Sequence, residues 1–322
     1  MSTASDILFG DFAKIWFGLK KSHRLTPLST KTLEDYRSLY HNHVEGVFGT
    51  IPMRDISGLM LDTYFSSLRL ATSTINKIKT CIVLPILRKA YANGLIPINP
   101  TVGLEPITVK NVHHEPYTPE EVARLAEVSQ GSYWHIAIPL LINTGIRRAE
   151  LLGLKWEDYD PKEHVLHIKR DYVSTNHECQ LKDTTKTESS TRLVAIPAEL
   201  CDALNNYRHK EGVGKTFIIS QITADKPVDP RNFSRTFRKW CTKAEMPKNK
   251  RGLHSTRATY CTMASQNECD LDGLRRQVGH QDFRMLTKVY MRDTINPKQY
   301  AVADKMGTVW ENAVSSKKNK AA

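Results

Sequence analysis

The sequence predicts a mainly α-helical chain with a small antiparallel β-sheet, divided into a helical N-terminal domain and an α+β C-terminal domain. Three observations carry that expectation. Apolar residues recur at helical spacing through the first hundred positions. A polar stretch punctuated by Pro106, Pro116 and Pro119 then interrupts the chain. Beyond it, Val165-Leu166-His167-Ile168 and Arg192-Leu193-Val194-Ala195-Ile196 read as strands inside an otherwise helical pattern.

Ser29-Thr30-Lys31-Thr32 precedes Leu33, Tyr36, Leu39 and Tyr40, which share one helical face. A second helical run covers Met60 to Leu70. A third begins near Ser73 with Ile75, Ile78 and Ile82, and Pro85 is expected to kink or break it. Ala90-Tyr91-Ala92-Asn93-Gly94 reads as a helix end with a glycine cap, and Asn99-Pro100 as an extended exit. The boundary falls near 112–116, giving domains over 8–112 and 116–322, the second with a C-terminal tail. Thr118-Pro119-Glu120-Glu121 opens a new helix, with Thr118 able to cap and Glu121 able to complete a capping box. Helical patterns return after Pro197 and continue past Tyr290.

The chain carries a formal charge of +12 over 322 residues. Lys and Arg outnumber Asp and Glu by 13 to 8 up to residue 112 and by 33 to 26 beyond it. Both domains could therefore face one polyanion, of which nucleic acid is the commonest. No apolar run approaches the roughly 18 residues of a membrane span, and the first residues do not read as a secretory signal. Six scattered cysteines without a Cys-x-x-Cys suit reduced thiols in the cytosol, not a disulfide framework or a zinc site. Gly212-Val213-Gly214-Lys215-Thr216 fails as a phosphate loop because the first required glycine is His209.

Four segments carry residues suited to phosphate chemistry. Thr144-Gly145-Ile146-Arg147 ends one apolar run and puts an arginine fork at the start of the next helix, beside exposed backbone N–H groups. Glu150, three residues on, either orients an active-site group or is helix-surface charge. Lys186 lies between the two strand candidates, where a hairpin tip could carry its ammonium to a leaving oxygen. His254 and Arg257 share a helical face and can address one phosphate. His280 follows Gly279 at a tight turn, and Tyr290 lies in a helical stretch. A tyrosine becomes a nucleophile only where cations stabilise its phenolate and the transition state. Each residue alone also has an ordinary reading: a surface arginine, a turn lysine, a capping histidine, a core tyrosine.

Taken in order, these residues resemble the tyrosine recombinase (phage integrase) family. Its pattern runs Thr-Gly-x-Arg-x-x-Glu-Leu, a hairpin lysine, His-x-x-Arg, Gly-His and a downstream tyrosine, and all are present. Thr32 to Ser57, Thr74-Ile75-Asn76 through Gly94-Leu95-Ile96, and Asn99-Pro100 are similar to the family's helical core-binding domain. Two points stand apart from the pattern. Tyr290 follows His280 by ten residues, toward the longer end of the expected spacing. The resemblance also starts near Asp11, where the family often carries a further arm-binding domain. Either the enzyme works without that domain, or this sequence is part of a longer one.

The resemblance implies a site-specific DNA recombinase, an integrase of a phage or other mobile element, built from a core-binding and a catalytic domain. Arg147 and Arg257 would clamp the scissile phosphate, and His254 and His280 would hydrogen-bond it. Lys186 would protonate the leaving 5′ oxygen, and Tyr290 would attack to leave a 3′-phosphotyrosine. Glu150 would support the site. The covalent bond conserves the energy of the broken linkage, so no metal, ATP or other cofactor is implied. The implied partners are double-stranded DNA, three further copies in a homotetramer on paired sites, and accessory DNA-bending proteins, with no membrane. The implied location is the cytoplasm of a bacterial host, on its nucleoid. A type IB topoisomerase-like enzyme and an inactive DNA-binding architectural protein are the alternatives.

Overall fold

A computed structural model describes residues 7–22, 28–109, 115–175, 178–183, 191–267 and 269–279. The chain divides into two compact units, Met1–Val112 and His113–Ala322. Among the described residues, no helix is long and apolar enough to cross a membrane.

The first unit is helical among its described residues. Helix α1 spans Phe9–Ser22, within the stretch whose apolar spacing reads as helical. It buries Phe9, Phe12, Trp16 and Phe17 on one face. Helix α2 (Thr30–Leu39) starts where Ser29 accepts a hydrogen bond from the Thr32 backbone N–H, the expected cap. It runs through a π-turn at Tyr40–Val44 into α3 (Glu45–Phe48). Helix α4 (Gly58–Ser67) is capped by Ser57. The rings of Phe9, Phe17, Tyr40, Phe48 and Tyr64 meet at centroid distances of 4.9–6.5 Å and form the centre of the core.

Pro85 does not break the third helical run. Helix α5 (Thr72–Ile78) continues through a second π-turn, Lys79–Val83, into α6 (Leu84–Ala92), with Pro85 in the first turn of α6. A proline lacks one helical donor and collides with the preceding turn. The wider π-turn just before it accommodates both, so the run continues without ending.

The second unit opens with α7 (Pro119–Ser129), whose Thr118 and Glu121 form the expected capping box. Buried Tyr117 fastens this start to a distant helix through its N–H to Thr259 Oγ1 (2.7 Å) and its hydroxyl to the Lys250 carbonyl (2.8 Å). Helix α8 (Ala137–Thr144) is the apolar centre, with α9 (Arg148–Gly153) after it. Strands β1 (Tyr159–Asp160) and β2 (Val165–Ile168) follow.

The next stretch holds an additional hairpin, β3 (Arg170–Thr175) with β4 (Glu178–Asp183), where only polar, turn-prone residues were expected. Strand β5 (Arg192–Ala195) then returns to pair with β2, placing Leu166 opposite Val194 on the buried face. There are thus two small antiparallel sheets among the described residues, β1-β2-β5 and β3-β4. Helices α10 (Ala198–Lys210), α11 (Pro230–Lys243), α12 (Leu253–Gln266) and α13 (Leu271–Val278) complete the described unit.

Candidate active site

Two left-handed glycine helix ends in the second unit lie among residues that are remote in sequence. Helix α8 ends at Gly145, whose φ of +62° lies in the left-handed region. A Cβ there would also come within 2.6 Å of the Tyr260 ring, so glycine is required on both counts. Ile146 is buried and anchors the turn, and Arg147 then caps α9. The Arg147 backbone N–H donates to Glu150 Oε2 (2.7 Å), while its Nη1 donates to Oε1 (2.8 Å). Glu150 is therefore no surface charge: it is 3% exposed and holds the arginine from below.

Helix α12 carries the second pair. His254 is exposed in its first turn, and Arg257 is buried one turn on. Arg257 donates Nη1 to the Gly145 carbonyl and Nη2 to the Val278 carbonyl, each at 2.6 Å. It thus ties the turn before Arg147 to the end of α13. That helix closes on Gly279, again left-handed with φ of +67°. Burial, then the like charge of Arg147, draw the Arg257 guanidinium down to about 10, which leaves it protonated at neutral pH.

Arg192 at the head of β5 is the residue that the sequence did not single out. Its Nη1 and Nη2 fork onto Glu150 Oε1 and Oε2 at 2.9 and 3.0 Å, and its Nε donates to the Gln277 carbonyl at 2.9 Å. Gln277 also clips the strand edge: its amide accepts from the Ala195 N–H and donates to the Ala195 carbonyl. Burial alone would raise the Glu150 carboxyl. The Arg192 bond and the charges of Arg192 and Arg147 overrule it and hold the group at about 2. Asp171 on β3 goes the other way, raised by burial and then by the Glu150 charge.

Arg147 and Arg257, which this network holds, border a cleft of about 370 Å³. Arg147, Arg148, Arg238, Arg251, His254 and Arg257 all line it. Five guanidinium groups and one imidazole around one cleft suit an anion with several oxygens. Arg148 is steadied by Ser234 Oγ at 2.8 Å. Arg251 donates to the Met246 carbonyl at 2.8 Å. Of the site residues expected from sequence, Arg147, Glu150, His254 and Arg257 are brought together here. Lys186, in the connection from β4 to β5, lies outside the described residues, as do His280 and Tyr290.

Glu150 also sets an acid response. Its folded value lies below the ordinary 4.5, so its ion pairs contribute stability above about pH 4.5. That contribution is lost as pH falls toward about 2. A difference of this size corresponds to about 3 kcal/mol. Urea unfolding of the wild type and of Glu150→Gln is expected to show a stability gap at pH 6 that narrows steadily by pH 3. A gap independent of pH would contradict the assignment.

Residues 117–296 match the profile of the phage integrase family, and residues 8–69 match that of the phage integrase N-terminal SAM-like domain. The chain is 23% identical to a tyrosine recombinase XerC-like protein of Caldanaerobacter subterraneus subsp. tengcongensis, over 91% of this chain and 81% of that one. It is 22% identical to an integrase of Streptomyces ambofaciens, over 83% and 72% of the two chains. Among solved structures, the Tn1549 transposon integrase in complex with transposon right end DNA superposes with a TM-score of 0.77 at 18% identity, over 94% of this chain and all of that one. A lambda integrase tetramer bound to a Holliday junction gives 0.69 at 17%, over 88% and 78%. At these identities the likeness is one of fold.

Proposed function

The chain belongs to the phage integrase family, and on that premise we propose that it is a site-specific DNA recombinase working through a 3′-phosphotyrosine. The observation that carries this reading is the convergence of Arg147, His254 and Arg257 on one basic cleft. Arg147 and Arg257 hold the scissile phosphate there, with His254 and His280 donating to its oxygens. The phenolic oxygen of Tyr290 attacks phosphorus, losing its proton to one of these two imidazoles, as the bond to the 5′ oxygen breaks. The electron pair leaves with that oxygen, which takes a proton from Lys186. Rejoining reverses the step: a 5′ hydroxyl attacks the phosphotyrosine and expels the phenol. The transition state carries more negative charge than the phosphodiester, so preformed cations bind it more tightly than the ground state.

Duplex DNA is the substrate, held by phosphate contacts from a chain whose two units are both basic. Four protomers act on two sites, with DNA-bending proteins as accessories, in the cytoplasm of a bacterial host.

The test uses a duplex enriched from a random-sequence pool by binding to the protein. Two copies, one labelled and one longer, are incubated with the wild-type chain. Products that join label to the longer partner are expected. Relaxation of a supercoiled plasmid carrying the site, without any joining of two duplexes, would assign the chain to topoisomerase-like chemistry instead. DNA retention with neither reaction would leave an architectural protein.

A further inference from the structure

Three consecutive carbonyls at the end of α13 each accept a hydrogen bond from a different arginine. Gln277 accepts from Arg192 Nε at 2.9 Å, Val278 from Arg257 Nη2 at 2.6 Å, and Gly279 from Arg147 Nη2 at 3.4 Å. A helix end leaves its last carbonyls without intrahelical partners and concentrates negative partial charge there. Here that end sits among three guanidinium groups. Residue 280 follows directly in the chain.

The three donors are not equivalent. Arg147 makes the longest of these bonds, and its side chain is 44% exposed on the cleft. The Arg192 side chain is 8% exposed, and it does not line that cleft. Its fork is fully engaged on Glu150, which in turn holds Arg147. A phosphate entering the cleft competes for Arg147, and for Arg257 in part, but not for Arg192.

We infer that Arg192 is a positioning residue, the substrate-independent anchor that fixes Gly279, the residue preceding His280 in sequence, relative to Arg147 through the shared Glu150 carboxylate. This rests on the recombinase reading for the role of His280. Arg192 touches no reacting atom. It acts by keeping the helix end in place while Arg147 exchanges a carbonyl for a phosphate oxygen. The packing at Gly279 is consistent with a tight setting, because a Cβ there would lie 3.0 Å from Arg192 Nη1.

Two variants test it. Arg192→Gln removes the charge as well as the fork. Arg192→Lys keeps a cation beside Glu150 but cannot bridge both carboxylate oxygens and the Gln277 carbonyl. Single-turnover formation of the covalent adduct is expected to slow on the order of 10²-fold in Arg192→Gln, and about tenfold in Arg192→Lys, the scale of a small misplacement of an active-site group. DNA retention should stay at the wild-type level. In a His280→Ala background, Arg192→Lys should cost far less than it does in the wild type.

Amide hydrogen exchange supplies a readout independent of activity. The peptide covering 271–279 should exchange faster in both variants, with α8 unchanged. Wild-type cleavage by Arg192→Lys, or equal slowing with and without His280, would overturn the inference. If the wild type forms no adduct at all, the recombinase reading fails. Unchanged exchange over 271–279 would then dispose of the anchor as well.

Discussion

Tyr290→Phe is expected to abolish covalent joining of the protein to DNA while leaving DNA binding intact. The substitution removes one oxygen and keeps the ring, so any packing of the side chain is preserved. Without that oxygen there is no nucleophile to attack phosphorus, and a neighbouring water lacks both its placement and its covalent product. Phosphate contacts are expected from arginines and lysines, so binding of duplex DNA should not depend on the Tyr290 hydroxyl. Gel retardation and adduct formation on one suicide substrate therefore separate the two effects. Equal retardation with adduct falling below detection is the expected pair of results. Persisting adduct would remove Tyr290 from its role.

Arg257→Ala is expected to be the most damaging change among the described site residues. The side chain is buried at 6% exposure and holds the Gly145 and Val278 carbonyls. Its loss removes a cation from the cleft, and one preorganised donor is typically worth 10²–10³-fold in rate. It also leaves two carbonyls without their donor, at about 1–3 kcal/mol for each buried group. The turn before Arg147 and the end of α13 lose their tie together, so the rate should fall about 10³-fold or more, by single-turnover cleavage. Arg257→Lys restores charge but not the fork spanning two carbonyls, and should recover only a small part. A folded Arg257→Ala protein that cleaves within fivefold of wild type would contradict the clamp.

The contrast between Arg257 and Arg192 shows how far residue patterns reach. His254 and Arg257 sit three apart on one helix, and Arg147 and Glu150 three apart across a helix start. Helical geometry alone makes such neighbours adjacent, so the sequence places both pairs on shared faces. The Thr118 capping box and the strand segments β2 and β5 were legible for the same reason: each signal lies within a few residues. Glu150 and Arg192 are 42 positions apart, and their contact depends on how β5 packs beside α9 and α13. No spacing announces that. Arg192 reads merely as the polar head of a strand, and Glu150 as surface charge or support.

Two further differences have local causes. Helix α1 lacks a side-chain cap in the sequence just before it, so only its apolar face marks it. The hairpin β3–β4 alternates weakly: Tyr172 is buried, while Leu181 on the facing strand is exposed. A strand with little inward patterning looks like loop. At Pro85, where the sequence predicts a kink or a break, the run continues through a π-turn that no residue preference specifies.

A cleft that holds a phosphodiester for attack by Tyr290 would leave a specific covalent trace. The most direct measurement is to trap the protein on a nicked suicide duplex, digest both components, and identify the linked peptide and nucleotide by mass spectrometry. One cross-linked peptide is expected, carrying a nucleotide on Tyr290 through a 3′-phosphate, with a free 5′ hydroxyl on the released strand. A nucleotide on any other residue, or one joined through a 5′-phosphate, would contradict it.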